Sequence, residues 1–256
     1  VVADTPTYFA TRLGLDRVYL GEDSYFLLDR VAALPEASGV AVEMGSGSGI
    51  QLIAAVKEFP AMAQAIGLEV DRRAGHVSRF NAALNGVSDH VTIVDSPEAL
   101  HTTLAGRPVT LAIANPPFIA MPDSIALTPR ERPALAGLRD VVSEQPAGPR
   151  RNLRAAYPRA GWGGVDGLAV TRHMLDVVLP TMGRDSQVLI FSSFAGDRQG
   201  PAKLREDVGT RGGWTMTFES LRRKPMFRKL VSKQELPVRV VAPVEDAPTR
   251  SAEEAA

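Results

Sequence analysis

Residues 39–50 read Gly-Val-Ala-Val-Glu-Met-Gly-Ser-Gly-Ser-Gly-Ile, and this stretch decides the fold. A short apolar strand runs into an acidic residue, glycines follow at three alternate positions, and a helix-like run extends from Ile50 to Phe59. Glycine accepts positive φ angles and lets a ligand approach the backbone. The start of the following helix offers unpaired N–H groups. The pattern predicts a strand–loop–helix unit of an α/β protein with a ligand held at the loop.

The spacing of the glycines distinguishes between classes of ligand. A dinucleotide-binding loop needs Gly-x-Gly-x-x-Gly, but Ile50 stands at the third position and Gly49 comes one residue early. A phosphate-binding loop would end in Gly-Lys-Ser/Thr, which is absent. The carboxylate of Glu43 would repel a pyrophosphate and suits a cationic ligand. The loop therefore favours a cationic ligand.

Polar side chains follow four successive apolar runs, at the points where strands should end. Each one alone is more readily explained as a helix cap or a solvated end, but four independent caps explain the set poorly. Open α/β sheets bind ligands at the carboxyl edge of their strands, and an acid about twenty residues after the glycine loop is placed to bind ribose hydroxyls. We therefore predict a ligand site at this edge. The residues are Glu43, Glu69, Asp95 and Asn115. Asp71, two residues beyond Glu69, is expected to cap the next helix.

Residues 115–118, Asn-Pro-Pro-Phe, follow an apolar run that is typical of a buried parallel strand. Each proline lacks an N–H and fixes φ at about −65°, so the chain leaves the sheet in one rigid direction. The Asn115 side-chain oxygen and the Pro116 carbonyl offer two acceptors to a planar amide or amine, and the Phe118 ring can stack on that group. The motif predicts recognition of a planar nitrogen, and the alternative is an ordinary strand-ending turn.

Together these motifs resemble the class I S-adenosylmethionine-dependent methyltransferases, and within them the HemK/PrmC type, which methylates glutamine side-chain amides in proteins. The resemblance covers roughly Val18 to Phe194. Besides the glycine loop and the NPPF motif, it rests on residues 80–86, Phe-Asn-Ala-Ala-Leu-Asn-Gly, and on residues 163–168, Gly-Gly-Val-Asp-Gly-Leu. It implies a Rossmann-like α/β fold, with a seven-stranded and mostly parallel sheet, helices on both faces and an antiparallel last strand.

The resemblance also implies S-adenosylmethionine as cofactor and S-adenosylhomocysteine as product. The glycine loop would hold the methionine part, Glu69 the ribose and Asp95 the adenine amine, while residues 18–28 would cover the cofactor. The cofactor-binding residues that it implies are Glu22, Asp23, Glu43, Gly45, Ser46, Gly47, Gly49, Glu69, Asp95 and Asn115.

The acceptor site implied by the resemblance is formed by Asn115, Pro116 and Phe118, which we take as the catalytic residues. Phe118 stands where the family often has tyrosine, so the ring face is kept and the hydroxyl is lost. The substrate-binding candidates are Tyr19, Phe118, Arg154 and Trp162.

Composition narrows the class of protein. With 256 residues and 45% hydrophobic content, one large domain is expected. Lys+Arg and Asp+Glu both number 29, so no net charge steers the chain to nucleic acid or membrane. The chain has no cysteine and its four histidines are far apart, so we expect no metal site.

No apolar run approaches the ~18 residues of a membrane span and no signal peptide is visible, so a cytoplasmic protein is expected. The absence of an initiator methionine suggests a trimmed or incomplete start.

Three segments are predicted along the chain. Residues 1–38 form an N-terminal lead-in and cofactor lid, residues 39–243 the methyltransferase domain, and residues 244–256 a disordered tail. Within the domain, residues 119–160 hold many prolines and seven arginines, and are interpreted as a substrate-loop insertion. Those arginines could clamp a carboxylate or phosphate, or form a solvated surface. A second basic run, residues 222–229, could contact RNA or form a loop between two edge strands.

The resemblance leaves several functions open. HemK-type enzymes carry an N-terminal helical domain that docks their protein substrate, and only about 38 residues precede the first strand here. We therefore expect methylation of an amine or amide nitrogen on a small molecule or peptide. The alternatives are methylation of protein glutamine or of an RNA base, another sulfonium reaction such as cyclisation, and a non-catalytic cofactor-binding partner subunit.

Overall fold

The computed structural model describes residues 1–3, 18, 20–118, 163, 166–195, 199–212, 214–218, 222–227 and 231–241. Its strands are β1 (Gly39–Met44), β2 (Met62–Leu68), β3 (Val91–Val94), β4 (Val109–Ala114), β5 (Met182–Ala195), β6 (Thr215–Phe218), β7 (Arg222–Phe227) and β8 (Val231–Val241). Its helices are α1 (Glu22–Ala32), α2 (Ile50–Glu58), α3 (Arg72–Leu84), α4 (Pro97–Leu104), α5 (Ala169–Val178) and α6 (Gly200–Gly209). A 3-10 turn, Leu179–Thr181, joins α5 to β5.

The described strands form one sheet in the order β3-β2-β1-β4-β5-β8-β6. The first five are parallel, whereas β8 runs antiparallel to β5 and β6 antiparallel to β8. The prediction of an α/β fold with a mainly parallel sheet is confirmed. The order reverses between β1 and β4, and such a reversal opens a crevice at the carboxyl edge of the sheet.

The predicted number of strands is wrong, because the described residues already contribute eight strands to the sheet and not seven. The additional strand is β7, which pairs with β8. Its basic sequence had suggested a loop or an RNA contact. Strand formation depends on an available partner edge more than on intrinsic preference, and β8 supplies that edge.

Alternate residues of each parallel strand point to opposite faces of the sheet. Val42 of β1 and Ala112 of β4 belong to the core cluster that includes Leu100, Leu175 and Leu204 of α4, α5 and α6. The other face carries Ala41 and Leu111, which cluster with residues of α1 and α2 such as Leu27 and Leu52. The sheet therefore has helices on both faces, as the sequence predicts.

The helix predicted from Ile50 to Phe59 is observed as α2 and ends one residue earlier, at Glu58. Helix α5 begins at Ala169, because Gly167 has φ +78° and residues 166–168 form a turn before it. Helix α4 was not predicted, although Ser96 and Pro97 are a good start signal: Ser96 Oγ accepts a hydrogen bond from the Ala99 N–H at 3.2 Å. No helix within the described ranges is long and apolar enough to span a membrane. The predicted 119–160 insertion and 244–256 tail lie outside the described residues.

Candidate functional site

The glycine loop follows β1 at the carboxyl edge of the sheet. Gly45, Gly47 and Gly49 have φ angles of +73°, +50° and +73°, a region that L side chains rarely occupy. Gly49 is also the N-cap of α2. The Gly45 N–H donates to the Leu68 carbonyl at 2.8 Å, which ties the loop to the end of β2. The alternating glycines are thus required by the backbone path.

Helix α3 braces this loop through two buried polar side chains, Ser78 and Asn81. Ser78 Oγ donates to the Gly47 carbonyl at 2.9 Å, and Asn81 Nδ2 donates to the Ser48 carbonyl at 2.8 Å. Ser46 Oγ lies 3.3 Å from Ser78 Oγ. These roles of Ser78 and Asn81 were not predicted from the sequence. Both residues lie on the buried face of α3. A buried polar side chain needs a hydrogen-bond partner, so their spacing could have indicated that they bind the loop.

Glu69 lies beside the loop at the end of β2. Its Oε2 accepts from the Gly47 N–H and its Oε1 from the Asp71 N–H, both at 2.8 Å. Each carboxylate oxygen can accept a further hydrogen bond, so these contacts leave capacity for ribose hydroxyls. Asp71 Oδ1 accepts from the Ala74 N–H at 2.9 Å, and its predicted role as the cap of α3 is confirmed.

Asn115 lies directly beyond β4 and contacts α1. Its Nδ2 donates to Asp23 Oδ2 at 3.1 Å, across a sequence separation of 92 residues. Its Oδ1 is buried and has no hydrogen-bond partner among the residues that the structure describes. The site therefore holds a buried acceptor atom at the end of the fourth strand, next in the sheet to the strand that carries the glycine loop.

Glu43 is the most deeply buried acid of the site, with 2% of its surface exposed. The Leu52 N–H at the start of α2 bonds to its carboxylate, while Oε2 has no partner within the described part of the chain. Burial, and secondly the negative charge of Glu69, raise the pKa of Glu43 well above its ordinary value of 4.5. Glu69 next to a glycine loop disfavours a phosphate, and a cation bound nearby would offset the raised pKa of Glu43.

Known proteins resemble this chain in part of its sequence and in its fold. No family model matches the chain. It is 36% identical over 107 residues to the ribosomal protein L11 methyltransferase of Salmonella dublin, a match that covers 41% of the chain and 34% of that protein. The chain thus spans about a third of the length of the curated relatives it matches.

Similarity to solved structures extends over a larger part of the chain than this sequence match does. A predicted RNA methyltransferase from Pyrococcus horikoshii matches with a TM-score of 0.53 and 14% identity, over 94% of this chain and 96% of that one. A predicted S-adenosylmethionine-dependent methyltransferase from Streptococcus mutans matches with a TM-score of 0.51 and 8% identity, over 87% of this chain and 50% of that one. The chain has the class I methyltransferase fold. The finer resemblance to the HemK/PrmC type stays a prediction.

Within this methyltransferase fold, the predicted site residues divide into three groups. Hydrogen bonds join the glycine loop to Glu69 and, separately, Asp23 to Asn115, while Glu43 interacts electrostatically with Glu69. Asp95 is exposed directly after β3, at the same edge of the sheet. Tyr19, Arg154, Trp162 and the Glu22 side chain lie outside the described residues.

Phe118 has a second role, in the core, that was not predicted from the sequence. Its ring packs against Phe191 of β5, with ring centroids 5.6 Å apart and planes tilted by 55°. Phe191 in turn meets Phe26 of α1 edge-on at 6.3 Å. Part of the Phe118 ring therefore anchors the NPPF motif to the core, and its predicted stacking on a substrate depends on the remaining surface.

Gly163 lies against the turn that residues 166–168 of the methyltransferase fold form before α5. A Cβ at Gly163 would lie 2.4 Å from the Gly167 carbonyl oxygen, so no side chain fits there. Asp166 accepts from the Leu168 N–H at 3.0 Å and from Arg172 at 2.7 Å, and Arg172 also bonds Asp207 of α6 at 2.7 Å. Burial alone would raise the pKa of Asp166, but the Leu168 and Arg172 hydrogen bonds outweigh it and lower that pKa. These contacts give the turn a structural role.

Glu43→Gln should change how stability depends on pH. Because the folded-state pKa of Glu43 is raised, its stabilising contribution is complete below the unfolded value near 4.5 and is lost as pH rises through the folded value. We expect the variant to lack this loss of stability as pH rises, because its amide does not titrate. Urea unfolding at a series of pH values measures this, with the exposed Glu58→Gln on α2 as control. Parallel pH profiles for wild type and Glu43→Gln would contradict it.

Proposed function

We propose that this chain is an S-adenosylmethionine-dependent methyltransferase that acts on a planar nitrogen. The observation that carries the proposal is the buried Oδ1 of Asn115, which has no partner among the described residues. It lies at the carboxyl edge of a parallel sheet, where open α/β folds bind ligands. A nitrogen that donates to this atom would complete its hydrogen bonding.

The polar groups at the same edge of the sheet suit the proposed cofactor. Backbone groups of the glycine loop would hold its methionine part, and the two acids Glu43 and Glu69 would favour its positive charge and its ribose. Asp95, Asp23 and Glu22 are the remaining candidates. When bound, the cofactor supplies a methyl group activated by a sulfonium, so the chemistry needs no side-chain nucleophile.

The residues of the chain would then act by orientation. Asn115 Oδ1 and the Pro116 carbonyl would accept N–H groups of the acceptor and direct its lone pair to the methyl group. Such positioning can lower a barrier by roughly 7–11 kcal/mol. Because Asn115 is neutral, it would not retain a cationic product. Pro116 is buried and Phe118 packs on Phe191, which support a rigid motif.

The acceptor that we propose is an amide or amine nitrogen of a small molecule or peptide. A ribosomal protein is the second candidate, because the matched curated relatives are named ribosomal protein L11 methyltransferases.

Two measurements test this function. Calorimetry should show one S-adenosylhomocysteine bound per chain, and the exposed Glu58→Ala should bind equally well. Transfer of tritiated methyl from S-adenosylmethionine is then measured on a glutamine-containing peptide, purified ribosomal protein L11 and an adenine-containing oligoribonucleotide. No binding of S-adenosylhomocysteine would refute the cofactor. Binding without transfer would favour a partner subunit or another sulfonium reaction.

A further inference from the structure

The hydrogen bond between Asn115 and Asp23 fixes which way the Asn115 amide faces. An ionised carboxylate only accepts hydrogen bonds, so the amide must present its NH₂ group to Asp23 Oδ2, 3.1 Å away. The Asn115 oxygen must then face the other direction, and this is the buried Oδ1 without a described partner. The Asp23 carboxylate therefore sets the orientation of the Asn115 amide, whichever end of the amide is assigned as oxygen.

Asp23 is itself held in place at the start of α1. Its Oδ1 accepts from the Ser24 N–H at 3.0 Å. Ser24 is buried, and its carbonyl accepts from Gln51 Nε2 of α2 at 3.4 Å. The helix is fixed to the sheet through Leu27, which is 1% exposed. The Asp23 carboxylate thus stands on a rigid element.

We propose that Asp23 is a positioning residue, which holds Asn115 with its oxygen towards the acceptor and so restricts the site to nitrogens that carry a hydrogen. This rests on the proposed function. A primary amide or an aromatic amine satisfies the restriction, because each donates an N–H to Oδ1. A tertiary amine or a ring nitrogen without hydrogen does not, because it has no N–H to donate to Oδ1 and its one lone pair must attack the methyl group.

An exchange of the two side chains isolates this role. In Asn115→Asp two carboxylates would meet at a distance of one hydrogen bond, and their repulsion would displace both. In the double variant Asp23→Asn/Asn115→Asp, the new amide at position 23 can donate to the new carboxylate at position 115. The contact is then restored, and an acceptor oxygen again faces the substrate.

Turnover of the best acceptor from the panel above is compared in wild type, both single variants and the double variant. We expect Asp23→Asn to lower kcat about tenfold and Asn115→Asp about a hundredfold, because each leaves a wrongly oriented or repelled group. The kcat of the double variant should be at least tenfold higher than that of Asn115→Asp. A double variant no more active than Asn115→Asp would overturn the positioning role.

A second readout needs neither cofactor nor acceptor. The chain has four asparagines, so ¹⁵N-asparagine labelling gives few side-chain NH₂ pairs, and the Asn115 pair is the one that Asn115→Asp removes. Asp23→Ala, which adds no further amide, should shift the Asn115 pair and speed its exchange with water, while the pairs of Asn81 on α3 and of Asn85 directly after it keep their shifts. An unshifted Asn115 pair would overturn the inference.

The two proposals can fail separately. If wild type binds no S-adenosylhomocysteine, the proposed function fails whatever the NH₂ signals show. If wild type transfers methyl groups and the exchange does not restore turnover, only the role of Asp23 fails.

Discussion

Asn115→Ala should lower the turnover of methyl transfer by about two to three orders of magnitude and leave the affinity for S-adenosylhomocysteine nearly unchanged. Loss of one preorganised polar group at a reacting centre typically has a rate effect of this size. The Asn115 oxygen is buried without a described partner, so its hydrogen bond to the acceptor would be made only when the acceptor is bound. The glycine loop and Glu69, which would hold the cofactor, do not depend on Asn115 for any contact described above.

The matched control for this variant is Asn85→Ala. Asn85 follows α3 and its Nδ2 donates to the Asn81 carbonyl at 2.8 Å, away from the sheet edge. It should keep turnover near that of wild type. Calorimetry and methyl transfer under the same conditions separate the two effects. Equal losses of affinity and turnover in Asn115→Ala would place this residue at the cofactor instead of the acceptor.

The parts of this site that could be predicted from sequence are those set by local chemistry. The loop needs positive φ angles at alternate positions, and glycines at those positions are enough to predict it from consecutive residues. The acids and Asn115 follow apolar runs, and parallel strands bring such ends to one edge. The cap at Asp71 needs only the residues that follow it.

The parts that were missed depend on contacts between distant segments. The bond from Asn115 to Asp23 joins residues 92 apart, and no local pattern specifies it. Asn81 was noticed within a motif, but its bond to the Ser48 carbonyl requires α3 to pack behind the loop. The basic run at residues 222–227 lacks a strand signature, and its pairing with β8 appears only in the assembled sheet.

Glu69→Ala should weaken the binding of S-adenosylhomocysteine by about ten- to a hundredfold. A hydrogen bond to a charged group contributes about 1.5–3 kcal/mol, and the proposed ribose contact would be lost. The variant also removes the tie between the Glu69 carboxylate and the Gly47 N–H at 2.8 Å, so the glycine loop should loosen. Calorimetry measures the combined loss, with Glu58→Ala as the control for removal of an acid. Undiminished binding would show that Glu69 does not hold the cofactor.

A change in the ligand separates the ribose contact from support of the loop. The 2′,3′-dideoxy analogue of S-adenosylhomocysteine has no hydroxyls for Glu69 to accept from, so wild type should bind it more weakly than the parent compound. In Glu69→Ala the two ligands should bind with similar affinity, because the group that distinguishes them is gone. If the variant weakens both ligands by the same factor, Glu69 acts through Gly47 alone. The ribose would then be bound elsewhere, and the exposed Asp95, at the same edge of the sheet, would be the next acid to change.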